Sequence, residues 1–151
     1  INAVSQNIDV LKESKCKIIL TPHFKEMSRL SGLSIEEIKK DKIQCASEFA
    51  RNYGVLVALK GPKTVICDEN DNVFVSNAGN VGMAKGGSGD VLAGIIGSLA
   101  AQGVSLLDAG ICGVFIHGLA GDLCKEDYSS VSMTPTDIIR KLPEIFLNFG
   151  L

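Results

Sequence analysis

Five glycines fall within the fourteen residues Asn77-Ala78-Gly79-Asn80-Val81-Gly82-Met83-Ala84-Lys85-Gly86-Gly87-Ser88-Gly89-Asp90, immediately ahead of an apolar run that begins at Val91. Small side chains let a backbone approach a ligand closely. The free N–H groups and positive dipole end of a helix start favour an anion there. The segment therefore predicts a phosphate site. Asp90 is the residue that needs a reason, because a carboxylate beside a phosphate loop repels the phosphate unless it has a task. It could cap the helix, or it could orient a substrate hydroxyl toward a bound phosphoryl group. The residues alone leave both open. Phosphoryl transfer suits the second role, since its loose transition state rewards positioning and charge neutralisation more than early removal of the hydroxyl proton. Two common phosphate loops do not fit. There is no GxxxxGK[ST], and Gly87-Ser88-Gly89 is followed neither by the third glycine of a dinucleotide fingerprint nor by its acidic ribose partner.

The elements that must position this loop follow from pattern. Cys16 to Leu20 is an apolar run ended by Thr21-Pro22 and predicts a buried strand, followed by a helix over about Lys25 to Leu30. Ser34, with Glu36 and Glu37, starts a longer helix whose stripe is Ile35, Ile38, Cys45, Ala46, Phe49 and Ala50, closed by Gly54. Val55 to Leu59 is continuously apolar, as in a parallel strand covered on both faces. Thr64 to Cys67 and Val73 to Val75, separated by Asp68-Glu69-Asn70-Asp71-Asn72, predict a β-hairpin. Helices are expected from about Asp90 to Ala101 and from about Leu106 to Lys125. Gly94, Gly97, Gly110, Gly113, Gly118 and Gly121 each cost these helices roughly 1 kcal/mol against alanine unless close packing offsets it. Thr134-Pro135-Thr136-Asp137 opens the last helix, which Pro143 should kink or split. Strands alternating with helices give an α/β class with a mixed sheet.

Composition bounds the function. The 151 residues are 46% hydrophobic and 21% charged, enough for one compact core, and neither repeats nor a dividing linker interrupt them. A balance of 15 basic and 17 acidic residues, formal charge −2, gives no electrostatic footprint for nucleic acid or an anionic membrane. Val91 to Ala101, taken as the longest apolar segment, is too short to span a bilayer. The cysteines Cys16, Cys45, Cys67, Cys112 and Cys124 are odd in number and show neither CxxC nor metal-ligand spacing, which fits a reducing cytoplasm and no bound structural metal.

The residues from Gly79 to Leu92 resemble the signature of the NAD(P)H-hydrate dehydratases, carbohydrate-kinase-like members of the ribokinase superfamily. Three further segments follow the family's order: Thr21-Pro22-His23 with Glu26-Met27, then Lys60-Gly61-Pro62-Lys63-Thr64-Val65, and Gly118 with Ala120-Gly121-Asp122. The resemblance implies a ribokinase-like three-layer αβα fold with a mostly parallel central sheet and a β-hairpin, incomplete at the N-terminus, so that residues 1–151 form a single partial domain, its nucleotide-binding and catalytic half. It also implies that ADP or ATP, with Mg2+, drives dehydration of the S epimer of hydrated NADH or NADPH. The substrate hydroxyl would be phosphorylated and phosphate then eliminated. Asp90 would stand beside the hydroxyl, with Gly87, Ser88 and Gly89 at the transferring phosphoryl group and the N–H groups of Ser88 and Gly89 donating to it. Lys60, Gly61, Pro62, Lys63, Thr64 and Gly89 would bind nucleotide, and His23 and Asp90 the hydrated dinucleotide. Phe24 and Lys25 stand where the family commonly has proline and glycine, and Val81 where it commonly has proline.

Bland alternatives stand beside these roles. Lys60 would be a solvated strand-end residue, Thr64 the first residue of a strand, His23 a helix cap, and His117 a packed helix residue. At the level of function, a small-molecule kinase of the same fold would use the same loop and aspartate, and an inactive nucleotide-binding fragment would bind without turnover. An open sheet edge favours association, so a homo-oligomer is expected.

Overall fold

Val55 to Leu59 offers no polar face to water, and the structure buries all of it, with the strand β2 at Leu56–Leu59. The computed structural model describes residues 1–150, which fall into two compact units, Ile1–Ser76 and residues 77–150. In the first unit a short helix α1 (Val10–Glu13) precedes β1 (Ile19–Leu20), α2 (Phe24–Ser31), α3 (Ile35–Lys40), α4 (Lys42–Tyr53), β2, β3 (Thr64–Cys67) and β4 (Val73–Ser76). The strand expected from Cys16 shrinks to two residues. A turn in which Ser14 Oγ bonds the Cys16 carbonyl at 3.1 Å and accepts the Cys16 N–H at 3.2 Å holds the start of the run out of the ladder.

The sheet order is β1-β2-β3-β4. β1 pairs parallel with β2, Ile19 against Leu56, whereas β2–β3 and β3–β4 are antiparallel. The expectation of a mostly parallel sheet is therefore corrected for these strands. Residues 60–63 are too short to carry the crossover that a parallel neighbour needs, so β3 must turn back on β2. The hairpin itself stands as expected, with Thr64 opposite Ser76 and Cys67 opposite Val73.

The long helix expected from Ser34 is two helices. Ser34 and Glu37 form a capping box, but Asp41 leaves helical geometry at φ −142° and accepts the Gln44 N–H at 2.9 Å, ending α3 and starting α4. An aspartate that can satisfy the next turn from outside it competes with helix continuation. The stripe survives the break: Ile38, Cys45, Ala46, Phe49 and Ala50 pack with Val57, Leu59 and Val65 in one core. Burying each large side chain of that set contributes roughly 1.5–3 kcal/mol.

The second unit consists of a loop with one 3-10 turn at Val81–Met83, then α5 (Ser88–Ala101), α6 (Leu106–Ser132) and α7 (Pro135–Asn148). α6 runs past the expected end near Lys125, interrupted at Ser129, which sits at φ 61° and ψ 163°. By length and mean hydropathy α6 meets the criterion for a membrane span, which the shorter run from Val91 had hidden; 39% of its most apolar window is buried within the protein. Ala120 and Cys124 pack there with Met133, Ile138 and Ile145. α7 opens as expected on the Thr134–Asp137 capping box with Pro135 in its first turn. It continues through Pro143 rather than splitting. The carbonyl that Pro143 leaves without an amide belongs to Ile139, an exposed residue, so water can serve it.

Close packing does offset the cost of glycine in α6. A Cβ at Gly113 would lie 2.5 Å from Ile96 Cγ1, and one at Gly118 2.7 Å from the main-chain carbon and oxygen of Ala78. In α5 the same expectation fails, because nothing stands within 4 Å of a Cβ added at Gly94 or Gly97.

Candidate functional site

The parallel strands β1 and β2 end side by side, and each delivers one expected ligand segment from its carboxyl end. That is the position at which open α/β sheets present ligand-binding residues. After β1 comes His23, the N-cap of α2. Its Nδ1 accepts the Glu26 N–H at 3.1 Å, and Glu26 Oε2 accepts the His23 N–H at 2.8 Å. With Nδ1 engaged as an acceptor, the neutral ring carries its proton on Nε2, leaving a donor on an exposed side chain. The cap reading of His23 is thus correct, and it leaves the other ring nitrogen available. After β2 comes Lys60, whose N–H donates to the Pro22 carbonyl at 2.8 Å and whose Nζ lies 3.8 Å from Glu26 Oε2. Glu26 therefore joins the two segments. The sequence carried a sign of this in the His-x-x-Glu spacing, a capping box with histidine in place of serine.

The turn that follows Lys60 departs from ordinary backbone. Gly61 has φ 149° and Lys63 φ 58°. Lys42 reaches in from α4, its Nζ donating to the carbonyls of Lys63 at 2.8 Å and Pro62 at 3.3 Å. Burial pulls the Lys42 ammonium down to about 8. Phe24 fills the space beside Gly61, where a Cβ would come within 2.8 Å of its ring, and the ammonium groups of Lys42 and Lys39 stand 5.4 and 5.9 Å from the ring centroid. Lys42 and Phe24 were not legible as partners of this turn. Nothing in the spacing of a lysine eighteen residues upstream of Lys60 reveals that it reaches over. Thr64 opens β3 and is half-buried.

In the second unit the glycine-rich loop is moulded on α6. Asp122 accepts the Gly79 N–H at 2.8 Å and Asn80 Nδ2 at 3.1 Å, while Asn80 Nδ2 also donates to the Gly121 carbonyl at 2.8 Å. Asn80 Oδ1 accepts the Gly82 N–H at 2.9 Å, starting the 3-10 turn. Lys85 Nζ donates to the carbonyls of Val131 and Met133 at 2.7 and 2.6 Å. Val81, which replaces the family's common proline, is 80% exposed, so the exchange alters no packing.

α5 starts at Ser88, two residues earlier than expected, with Gly87 as its N-cap at φ 94°. Asp90 is therefore in the first helical turn and is not the cap. Its side chain is exposed and makes no hydrogen bond or ion pair among the described residues. The Ser88 N–H donates to the Lys85 carbonyl at 3.2 Å, and those of Asp90 and Val91 both donate to the Gly87 carbonyl at 3.1 Å. The N–H groups of Gly86, Gly87 and Gly89 have no acceptor among the described residues. Of the expected pair of donors, Gly89 is free and Ser88 is engaged. The Ser88 hydroxyl is buried, 3.3 Å from His117 Nε2 on α6, a contact that sequence reasoning set aside as packing.

Comparison with known proteins gives the chain a family. The family model described as NAD(P)H-hydrate dehydratase matches residues 1–144. The ADP-dependent (S)-NAD(P)H-hydrate dehydratase of Neisseria meningitidis is 43% identical over 112 residues, covering 74% of this chain and 38% of that protein. The bifunctional NAD(P)H-hydrate repair enzyme Nnr of Thermofilum pendens is 38% identical over 144 residues, covering 95% of this chain and 28% of that protein. A crystal structure of the ADP/ATP-dependent NAD(P)H-hydrate dehydratase from Bacillus subtilis, co-crystallised with ATP and Mg2+, superimposes with a TM-score of 0.88 at 26% identity, over 99% of this chain and 61% of that one. The chain thus has the ribokinase-like fold and spans about a quarter to three fifths of the length of these relatives. With the family model matching nearly its whole length, the chain belongs to the NAD(P)H-hydrate dehydratase family.

Proposed function

We propose that the intact protein carrying this chain uses ADP or ATP to return the S epimer of hydrated NADH or NADPH to the reduced dinucleotide. The observation that supports this reading most strongly is the start of α5: unpartnered N–H groups at Gly86 and Gly87, just before the helix, and at Gly89 in its first turn, beside an exposed, unpaired Asp90 carboxylate. Such a turn can receive a phosphoryl group on its N–H donors while the carboxylate accepts a hydrogen bond from the substrate hydroxyl. Asp90 orients that hydroxyl and takes up its proton late, as the new O–P bond forms and the nucleotide's terminal P–O bond breaks. Elimination then breaks the C–O bond, with loss of a proton from the neighbouring carbon. Phosphate leaves and the ring double bond is restored.

His23, through its outward Nε2–H, would donate to an acceptor on the hydrated dinucleotide, and Lys60 to Thr64 would line the nucleotide. Among the described residues no three metal-ligating side chains cluster. Mg2+ would arrive with the nucleotide, whose phosphates and waters supply most of its coordination. On this reading residues 1–151 are part of one domain of a longer cytoplasmic enzyme. The open edge at β4, where Val73, Phe74 and Val75 are exposed, supports self-association, which sedimentation of the intact protein checks.

The function is tested by incubating the intact protein with hydrated NADH, Mg2+ and ADP or ATP. Nucleotide-dependent recovery of reduced-nicotinamide absorbance, with release of phosphate, is the expected result. Absence of recovery overturns the dehydratase, and accumulation of a stable phosphorylated alcohol identifies a kinase instead.

A further inference from the structure

α6 holds the glycine-rich loop at successive turns, and His117 is the point of that mould nearest the chemistry. Gly118 lies against Ala78, Gly121 against Met83, and Asp122 binds Gly79 and Asn80. His117, one residue before Gly118, reaches the first turn of α5, where its Nε2 stands 3.3 Å from Ser88 Oγ. A serine and a histidine at this distance could suggest a nucleophile and its base. Burial of Ser88, which is only 5% exposed, excludes attack on a substrate. What the contact can do is fix the hydroxyl of the first residue of α5, and with it the two residues that follow.

We propose that His117 is a positioning residue for the reaction: its imidazole anchors Ser88, so that the free Gly89 N–H and the Asp90 carboxylate hold fixed directions at the start of α5. The proposal rests on the dehydratase reading for its kinetic consequence but not for the contact itself. Three features support it. Ser88 is the residue immediately before the Gly89 donor, and its own N–H is tied back to Lys85, so its hydroxyl is the remaining handle on the turn. Helices α5 and α6 approach closely, with Gly113 leaving room for Ile96, so the histidine is carried on a rigid neighbour. Gly86 and Gly87 carry no side chain and their N–H groups bond no acceptor among the described residues, so neither anchors the N-terminal side of the turn. A small displacement at such a place is costly to rate, because the reacting groups must meet within a narrow geometry.

The test is a mutant cycle in the intact protein, read as turnover of hydrated NADH. His117→Leu keeps bulk and removes the polar contact; His117→Gln keeps a side-chain amide that can still reach the hydroxyl; Ser88→Ala removes the other partner. His117→Leu is expected to lower kcat on the order of tenfold with the nucleotide KM within about twofold, and Ser88→Ala to do the same. His117→Gln is expected to recover most of the loss. In the Ser88→Ala background His117→Leu is expected to lower kcat by less than about twofold further, since the group through which it acts on the turn is gone. Losses that multiply in the double variant, a His117→Leu enzyme of parental kcat, or failure of His117→Gln to recover activity would each overturn the proposal. If His117→Leu does not fold, Ser88→Ala with and without His117→Gln decides the same question. The contact is also read without activity, from the His117 ring nitrogen resonances. They are expected to move on Ser88→Ala, and unmoved resonances overturn the contact even if the parent enzyme is inactive.

Discussion

The two loops that carry the expected site residues are held by different means. Residues 60–63 are gripped from outside by long side chains: Lys42 on the carbonyls of Pro62 and Lys63, and Phe24 against Gly61. Residues 77–85 are held mainly by close backbone packing and short side chains: Gly118 lies against the backbone of Ala78, the Asp122 carboxylate accepts the Gly79 N–H and Asn80 Oδ1 the Gly82 N–H, with Lys85 as the one long side chain, tied to the carbonyls of Val131 and Met133. Long side chains can swing or stretch when a ligand arrives. A backbone seated on a glycine cannot yield without moving the helix beneath it. The first loop is thus built to adjust and the second to stay still, as the role proposed for Gly89 and Asp90 requires of the turn that follows it.

Substitution at the contacts breaks or sharpens this contrast. The largest effect is expected at Gly118→Ala, whose Cβ would meet the backbone of Ala78; a loss of about 1–3 kcal/mol in unfolding free energy is expected. Gly121→Ala should cost less, because its neighbour is the flexible end of Met83. Denaturant titration of both variants checks the order, and equal losses would mean that the loop is softer than described. In the first loop, Phe24→Leu keeps an apolar side chain beside Gly61 but loses the ring that the Lys42 and Lys39 ammonium groups face, and should cost about 1 kcal/mol.

A subtler consequence concerns Lys42. Burial lowers its ammonium from 10.5 to about 8, so between these values the unfolded chain binds the additional proton. Stability relative to Lys42→Met should therefore rise with pH from about 8 to about 10.5, as the folded protein sheds a charge it holds at a cost. A flat difference across that window would remove Lys42 from the loop. The smallest effect is a gain. Gly97→Ala places a methyl where nothing lies within 4 Å and should raise stability by up to about 1 kcal/mol.

Sequence made the second loop far more legible than the first. Glycine where only glycine fits leaves a mark in composition, so the loop and its place before a helix could be read directly. The strand from Val55 and the hairpin from Thr64 were equally plain, because a continuous apolar run and a turn-rich spacer have few other uses. Contacts made by long side chains leave no such mark. Lys42 and Phe24 carry no signal that they meet over Gly61, and His117 gives no direction until the packing of α5 on α6 is known. The break at Asp41 was hidden by a hydrophobic stripe that continues across it. The tolerance of Pro143 depended on which face Ile139 presents to water.

The central claim is that Asp90, unpaired and in the first turn of α5, orients the substrate hydroxyl for phosphoryl transfer. The most direct test is Asp90→Asn in the intact protein, comparing turnover of hydrated NADH with nucleotide affinity. Turnover is predicted to fall by a factor on the order of 10² or more while nucleotide affinity stays within about twofold. Near-normal turnover would contradict the account and leave Asp90 an ordinary surface residue of the helix.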